Sequence, residues 1–290
     1  MNLPTTKHAL VSKGSPVIAW WSGGVTSAVA CKIAIDMYGI DNVRVVFIDT
    51  GNEDDDTYRF MQDCEKWYGI YIETVTNEKY NSIEEVWYKY NSLNVAHGAI
   101  CSSELKREVR LKFQKENNYS YSVFGYDIDE TKRAKSFTLN YPEGSGIYPL
   151  LFHGLSKQHC IQLLEAAKIE IPRAYKLGLN NNNCLKTGCI QGGIGYWQLM
   201  RTLIPENFER MAKIEHELTD RKGKPITMLK DQSKDGGLVF LLPHPDYPHI
   251  KDISMMKGRK PEPLIDCNGH CGVNDLSKKN KTQTEINFAA

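Results

Sequence analysis

The chain has 290 residues, of which 41% are hydrophobic and 24% charged. That length holds one large domain or a core with an appendage, and the balance is that of a globular chain, which excludes disordered and fibrous classes. A net charge of +1 gives no global pull toward nucleic acid, so such a partner would need a local basic patch. No apolar run reaches the roughly 20 residues of a membrane span, and the first residues lack a secretory pattern. The expected location is the cytoplasm, with no membrane partner. The eight cysteines are then expected as thiols or metal ligands rather than disulfides.

Residues 1–15 are polar and unpatterned and read as a flexible tail. Residues 17–21 read as an apolar strand, Ser22-Gly23-Gly24 as a turn, 26–38 as a helix and 43–48 as a second apolar strand. This is a βαβ unit with small residues at its first junction. Backbone N–H groups stay unpaired at a helix N-terminus, where the macrodipole favours negative charge. Gly23 and Gly24 carry no Cβ to block approach, and Ser22, Thr26 and Ser27 add hydroxyls. Phosphate is the expected occupant. The spacing is neither GxxxxGK[ST] nor GxGxxG.

The loop resembles the SGGxxS loop of the PP-loop ATP pyrophosphatases, the adenine-nucleotide alpha-hydrolase superfamily. That group includes phosphoadenylylsulfate reductases, thiolation enzymes acting on tRNA and DNA, and GMP synthetase-like ligases. The resemblance implies an α/β fold with a doubly wound, mostly parallel sheet and an ATP site over Ser22, Gly23, Gly24, Thr26 and Ser27. Many relatives carry an Asp where Thr26 stands here.

The second strand ends in Asp49-Thr50-Gly51-Asn52, and open parallel sheets collect ligands beyond the carboxyl ends of their strands. Family members carry a similar segment, which implies adenosine contact for Asp49 and Thr50; the same residues suit a helix cap. Residues 57–68 read as a helix with Tyr58, Met61, Trp67 and Tyr68 inward, 70–75 as the third strand and 82–90 as another helix. Cys64 reads as a buried thiol. From Ile100 a basic helix is expected to run to about residue 116, carrying Lys106, a phosphate-steering group or a solvated charge. The segment is similar to one in sulfonucleotide reductases, where cluster-bearing members have two adjacent cysteines; here Cys101 is followed by Ser102. Residues 121–124 read as a strand ending at Gly125, with Glu130 and Arg133 one helical turn apart. The family pattern implies that Arg133 binds phosphate or sulfate oxygens and Glu130 orients it. A bridging strand over 147–151 and a helix over 156–168 close a nucleotide-binding domain spanning 16–170, with His153, His159 and Cys160 structural.

Residues 171–275 are expected to form a helical, metal-binding subdomain. The asparagines at 180–183 favour turns and deliver Cys184 and Cys189; Cys267 and Cys271 form a second close pair. Together they suit a four-thiolate site, with His270 as a replacement ligand. Tyr175-x-x-Gly178 before the first pair is similar to adenylylsulfate reductases, which implies the alternative set of Cys101, Cys184, Cys189 and one of Cys267 or Cys271. Zinc and a 4Fe–4S cluster both accept such ligands. Helices are expected over 195–203 and 205–218, with Trp197 and Met200 in the core. Residues 222–234 read as a mobile polar loop, 243–248 as a stiff extended segment and 276–290 as a disordered tail.

The resemblance implies an enzyme that splits ATP to AMP and pyrophosphate with Mg²⁺, using Ser22, Lys106 and Arg133, and adenylates a nucleic-acid or protein acceptor, as in thiolation. One alternative is a reductase of adenylyl sulfates, for which Asp266-Cys267-Asn268-Gly269-His270 is a poor copy of the catalytic segment. Another is a nucleotide-binding subunit, without catalysis, of a homo-oligomer or larger assembly.

Overall fold

Val17, Ala19 and Trp21 of β1 (Val17–Trp21) pack on one side of a sheet, and Ile18 and Trp20 on the other. All five are buried, which is why the strand reads as a continuous apolar run. The computed structural model describes residues 15–95, 98–141, 145–182, 184–233 and 236–262.

From β1 the chain enters α1 (Val25–Tyr38), whose residues from Val25 to Ile35 are buried apart from Lys32. A helix apolar almost all round must be covered on several sides; α1 lies between the sheet and later helices. Then come β2 (Val43–Asp49), α2 (Asp55–Tyr68), β3 (Ile72–Thr76) and α3 (Ile83–Tyr90). A small hairpin, β4 (Asn94–Val95) with β5 (Gly98–Ala99), leads to α4 (Ile100–Ser102) and α5 (Glu108–Glu116). These two are joined by a π-helical turn, Ser103–Arg107. After β6 (Ser122–Val123) come α6 (Thr131–Asn140), β7 (Gly146–Ile147), α7 (Pro149–Phe152), α8 (Lys157–Ala166) and α9 (Arg173–Lys176).

The main sheet has the order β3-β2-β1-β6-β7, with every pairing parallel. Helices cover both faces, as expected of a doubly wound fold. The order reverses between β1 and β6, and the crevice at such a switch point is where ligands bind. The register Asp49↔Thr76 aligns the ends of β2 and β3.

The rest comprises α10 (Ile194–Leu203), α11 (Pro205–Lys222), β8 (Leu229–Lys230), β9 (Leu238–Phe240) and β10 (Lys251–Asp252). Trp197 and Met200 lie in its core, which is shared with Ile83, Val86 and Trp87 of α3. Glu215 of α11 is buried and accepts hydrogen bonds from Met228 N–H (2.8 Å) and Leu241 N–H (2.7 Å). One carboxyl group thus ties helix to sheet.

Several sequence expectations need correction. The buried stripe of α2 is Thr57, Phe60, Cys64 and Tyr68, while Tyr58, Met61 and Trp67 are only partly buried. Spacings of three and four select the former set. Part of the expected polar loop, Leu229–Lys230, is an edge of the three-stranded β10-β9-β8 sheet. The bridging strand stops at Ile147, since Pro149 starts α7. Residues 1–14 of the first tail, the whole of the second, Cys267, Cys271 and His270 lie outside the described residues.

Candidate nucleotide and cysteine site

Ser22, Gly23 and Gly24 link β1 to α1 as the sequence implied, and Gly23 takes φ +80°. A Cβ on Gly23 would lie 2.8 Å from Thr57 Cγ2, so the loop needs glycine for both conformation and space. Ser27 staples the turn: its hydroxyl accepts from Ser22 N–H (3.1 Å) and donates to Gly24 O (2.9 Å). Thr26 is buried. Gly24 caps α1 without a side-chain hydrogen bond, and the first turn holds no acidic residue. By contrast α2 has the Asp54 cap with Asp55 and Asp56 behind it. No acidic side chain of its own first turn answers the positive end of α1, where negative charge is favoured.

Gly125 comes from the end of β6. A Cβ there would lie 2.6 Å from both N and Cα of Ser27, so this backbone presses directly on the phosphate loop. Asp127 caps the next turn, and Glu130 Oε2 accepts from Asp127 N–H at 3.4 Å. The other oxygen of Glu130 pairs with Arg133, whose guanidinium lies 4.9 Å from the centre of the Tyr126 ring. Glu130 therefore orients Arg133, as the spacing suggested.

At the end of β2, Asp49 accepts from Gly51 N–H (2.7 Å) and the Tyr58 hydroxyl (2.9 Å). Burial and the adjacent Asp49 carboxylate raise the Tyr58 pKa, which keeps that hydroxyl a donor. Thr50 is buried and donates to Glu53 Oε1 (3.2 Å). Lys106 is neither solvated nor isolated: its ammonium lies 3.4 Å from Glu53 Oε1, with side-chain exposures of 12% and 1%. Glu53 was not singled out in the sequence, because an acidic run at 53–56 reads as helix-start chemistry.

Five further residues, Asn182, Thr57, Asn52, Thr187 and Tyr175, were missed as site residues. The amide of Asn182 donates to Gly23 O and to Thr57 Oγ1, each at 2.9 Å. Asn52 donates to Thr187 Oγ1 at 2.6 Å. The Tyr175 hydroxyl accepts from Val25 N–H at 3.3 Å. Asn182 and Tyr175 were visible only as a turn former and half of a spacing motif. Asn182 thus ties the loop bearing Cys184 and Cys189 to the phosphate loop, Thr187 ties it to the loop after β2, and Tyr175 of α9 braces the start of α1.

Cys101, Cys184 and Cys189 are buried in one shared cluster. Burial pushes the Cys184 thiol up to about 12; Glu53 and Cys101 push the same way, while Lys106 and Asn52 oppose them. Those causes place Cys184 beside Cys101 and the Glu53–Lys106 pair. Cys189 N–H donates to the Tyr196 hydroxyl (2.9 Å). The three ligand atoms do not gather within 4.8 Å of one another as a set. By their chemistry soft, water-excluded donors suit zinc or an iron–sulfur cluster, and Cys101, Cys184 and Cys189 are the described residues that would hold it, although their sulfurs stand wider apart than zinc bonds of about 2.3 Å allow.

The chain was compared with known proteins. An uncharacterised protein of Methanocaldococcus jannaschii is 34% identical over 215 residues, covering 71% of this chain and 42% of the relative. The chain thus spans less than half of that relative's length. Among solved structures, phosphoadenylyl-sulfate (PAPS) reductase from Candida auris in a phosphate complex aligns with TM-score 0.44 and 16% identity, covering 58% of this chain and 81% of the other. The U34-tRNA thiolase NcsA from Methanococcus maripaludis, with its 4Fe–4S cluster, aligns with TM-score 0.40 and 16% identity, covering 70% and 72%. The phosphoadenosine phosphosulfate reductase domain matches residues 16–191, a stretch running from β1 through the phosphate loop and the parallel sheet to just beyond Cys189. The chain belongs to that family.

Proposed function

We propose that the protein binds ATP at residues 22–27 and cleaves it between the α- and β-phosphates, passing AMP to an acceptor in nucleic-acid modification or thiolation. The observation that carries this reading is the direct hydrogen bonding of the cysteine loop to the phosphate loop, Asn182 to Gly23 O at 2.9 Å. A nucleotide held at α1 and a sulfur-handling centre at Cys101, Cys184 and Cys189 would then share one wall.

An acceptor oxygen attacks the α-phosphorus, the bond to the bridging oxygen of the β-phosphate breaks, and pyrophosphate leaves with that electron pair. The task for the chain is positioning and charge stabilisation. The Ser22 hydroxyl and the N–H groups of α1 beyond Val25, whose own N–H donates to Tyr175, hold phosphate oxygens. Arg133, fixed by Glu130, faces the same charge, and Lys106 completes the cationic set. Mg²⁺ enters with the nucleotide, bound to its phosphates. A zinc ion or iron–sulfur cluster on the cysteines would supply, respectively, a structural tie or a site to hold sulfur.

The test is pyrophosphate release from ATP by metal-replete protein, with and without tRNA or DNA. Release stimulated by nucleic acid supports the reading. Sulfite release from adenylyl sulfates, without pyrophosphate release from ATP, would replace it with a reductase. Nucleotide binding with neither product would leave a binding subunit.

A further inference from the structure

Asp220, His244 and Asp246 lie far along the chain from the phosphate loop, and nothing above uses them. One ligand atom from each falls within 4.8 Å of the other two. Asp220 is in the last turn of α11; His244 and Asp246 sit in the proline-bounded segment after β9. His244 is only 2% exposed, and its Nε2 is buried without a hydrogen-bond partner. That nitrogen lies 3.4 Å from Asp220 Oδ1. A buried imidazole nitrogen facing the Asp220 carboxylate without a hydrogen bond, with an Asp246 oxygen in the same cluster, is an incomplete polar arrangement.

Charge points the same way. Asp220 and Asp246 are exposed carboxylates at the negative end of an eighteen-residue helix, where cations are favoured. The nearby cationic side chains are used elsewhere: Arg221 stacks on Tyr88 at 4.6 Å, and Lys222 donates to Asn91 O at 3.1 Å. Among the described residues, neither carboxylate forms an ion pair with lysine or arginine.

We propose that Asp220, His244 and Asp246 bind a divalent first-row cation, with water completing its shell. One imidazole and two carboxylates suit zinc or manganese. The ion would pin the end of α11 to residues 243–248, whose prolines already restrict them. Ligation through Nε2 moves the imidazole proton to Nδ1, which now accepts from Asp246 N–H at 3.2 Å. Loading therefore takes the acceptor from that N–H, while the neutral ring keeps its single proton.

The test uses Mn²⁺ on chelator-treated, nucleotide-free full chain, because manganese avoids thiolates. Bound ion is read by electron paramagnetic resonance, and Zn²⁺ is added to displace it. Asp220→Asn and Asp246→Asn are surface changes that leave the packing of His244 intact. The expected result is one Mn²⁺ per wild-type chain, displaced by Zn²⁺, with affinity lowered at least about tenfold in each variant. No bound Mn²⁺ in the wild type, or unchanged binding in both variants, would overturn the site.

Discussion

Asn182 reaches across from the cysteine loop to Gly23, its amide 2.9 Å from the glycine carbonyl and equally close to Thr57 Oγ1. Both bonds are buried, so truncation leaves two acceptors dry. Asn182→Ala is expected to cost about 1–3 kcal/mol in urea unfolding. It should also weaken ATP binding measured by calorimetry, since the turn loses its brace. Wild-type affinity in this variant would remove Asn182 from the nucleotide site.

Gly125 and Gly51 make a matched pair of substitutions. A Cβ at Gly125 would sit 2.6 Å from the Ser27 backbone, whereas Gly51, at φ +69°, has nothing within 4 Å. Gly125→Ala should displace α1 and abolish nucleotide binding, with an overpacking cost of at least about 1–3 kcal/mol. Gly51→Ala carries only the left-handed backbone cost of about 1–2 kcal/mol and should still bind. Equal affinities in the two variants would show that the contact with α1 does not set the loop.

In the Glu53–Lys106 pair the carboxylate is buried and the ammonium nearly so, at 1% and 12% exposure. Lys106→Ala strands the Glu53 carboxylate, a loss of about 3–5 kcal/mol for a buried pair. The double variant Glu53→Gln with Lys106→Met should recover most of that stability while remaining impaired in pyrophosphate release. Thermal melting and product assays read the two effects separately. Full activity in the double variant would make the pair purely structural.

Burial pushes the Glu215 carboxyl from 4.5 up to about 8, against the pull of its two backbone donors. The folded state then holds a proton that the unfolded chain releases above pH 4.5. Stability from this group is present below that pH and declines as pH rises toward about 8, by roughly 1.4 kcal/mol per unit. Glu215→Gln should flatten the unfolding free energy across that window. A slope unchanged by the substitution would assign the pH dependence elsewhere.

The junction of β1 and α1 was legible because every cue is local: an apolar strand, two glycines, three hydroxyls and a small-residue helix. The Glu130–Arg133 geometry was equally local, three residues apart on one turn. What escaped was made by distant segments. Asn182 and Thr57, or Asn52 and Thr187, meet only after the chain has crossed the sheet, and no spacing announces that. Strands β8 and β10 are two residues long, too short to show alternation. In α2, the bulk of Tyr58, Met61 and Trp67 drew the stripe off centre: they flank the core, while Phe60 and Cys64 with Tyr68 carry the buried helical period.

The wide turn at Ser103–Arg107 fixes a phase. A π-helical segment behaves as one residue inserted into a regular helix, so it sets the phase of Cys101 before it against Lys106 within it, two residues that both act on Cys184. Deleting a single residue here would let the rod wind evenly and rotate everything upstream by about 100°. The thiol would swing out of register with the ammonium, though no atom of either had been altered.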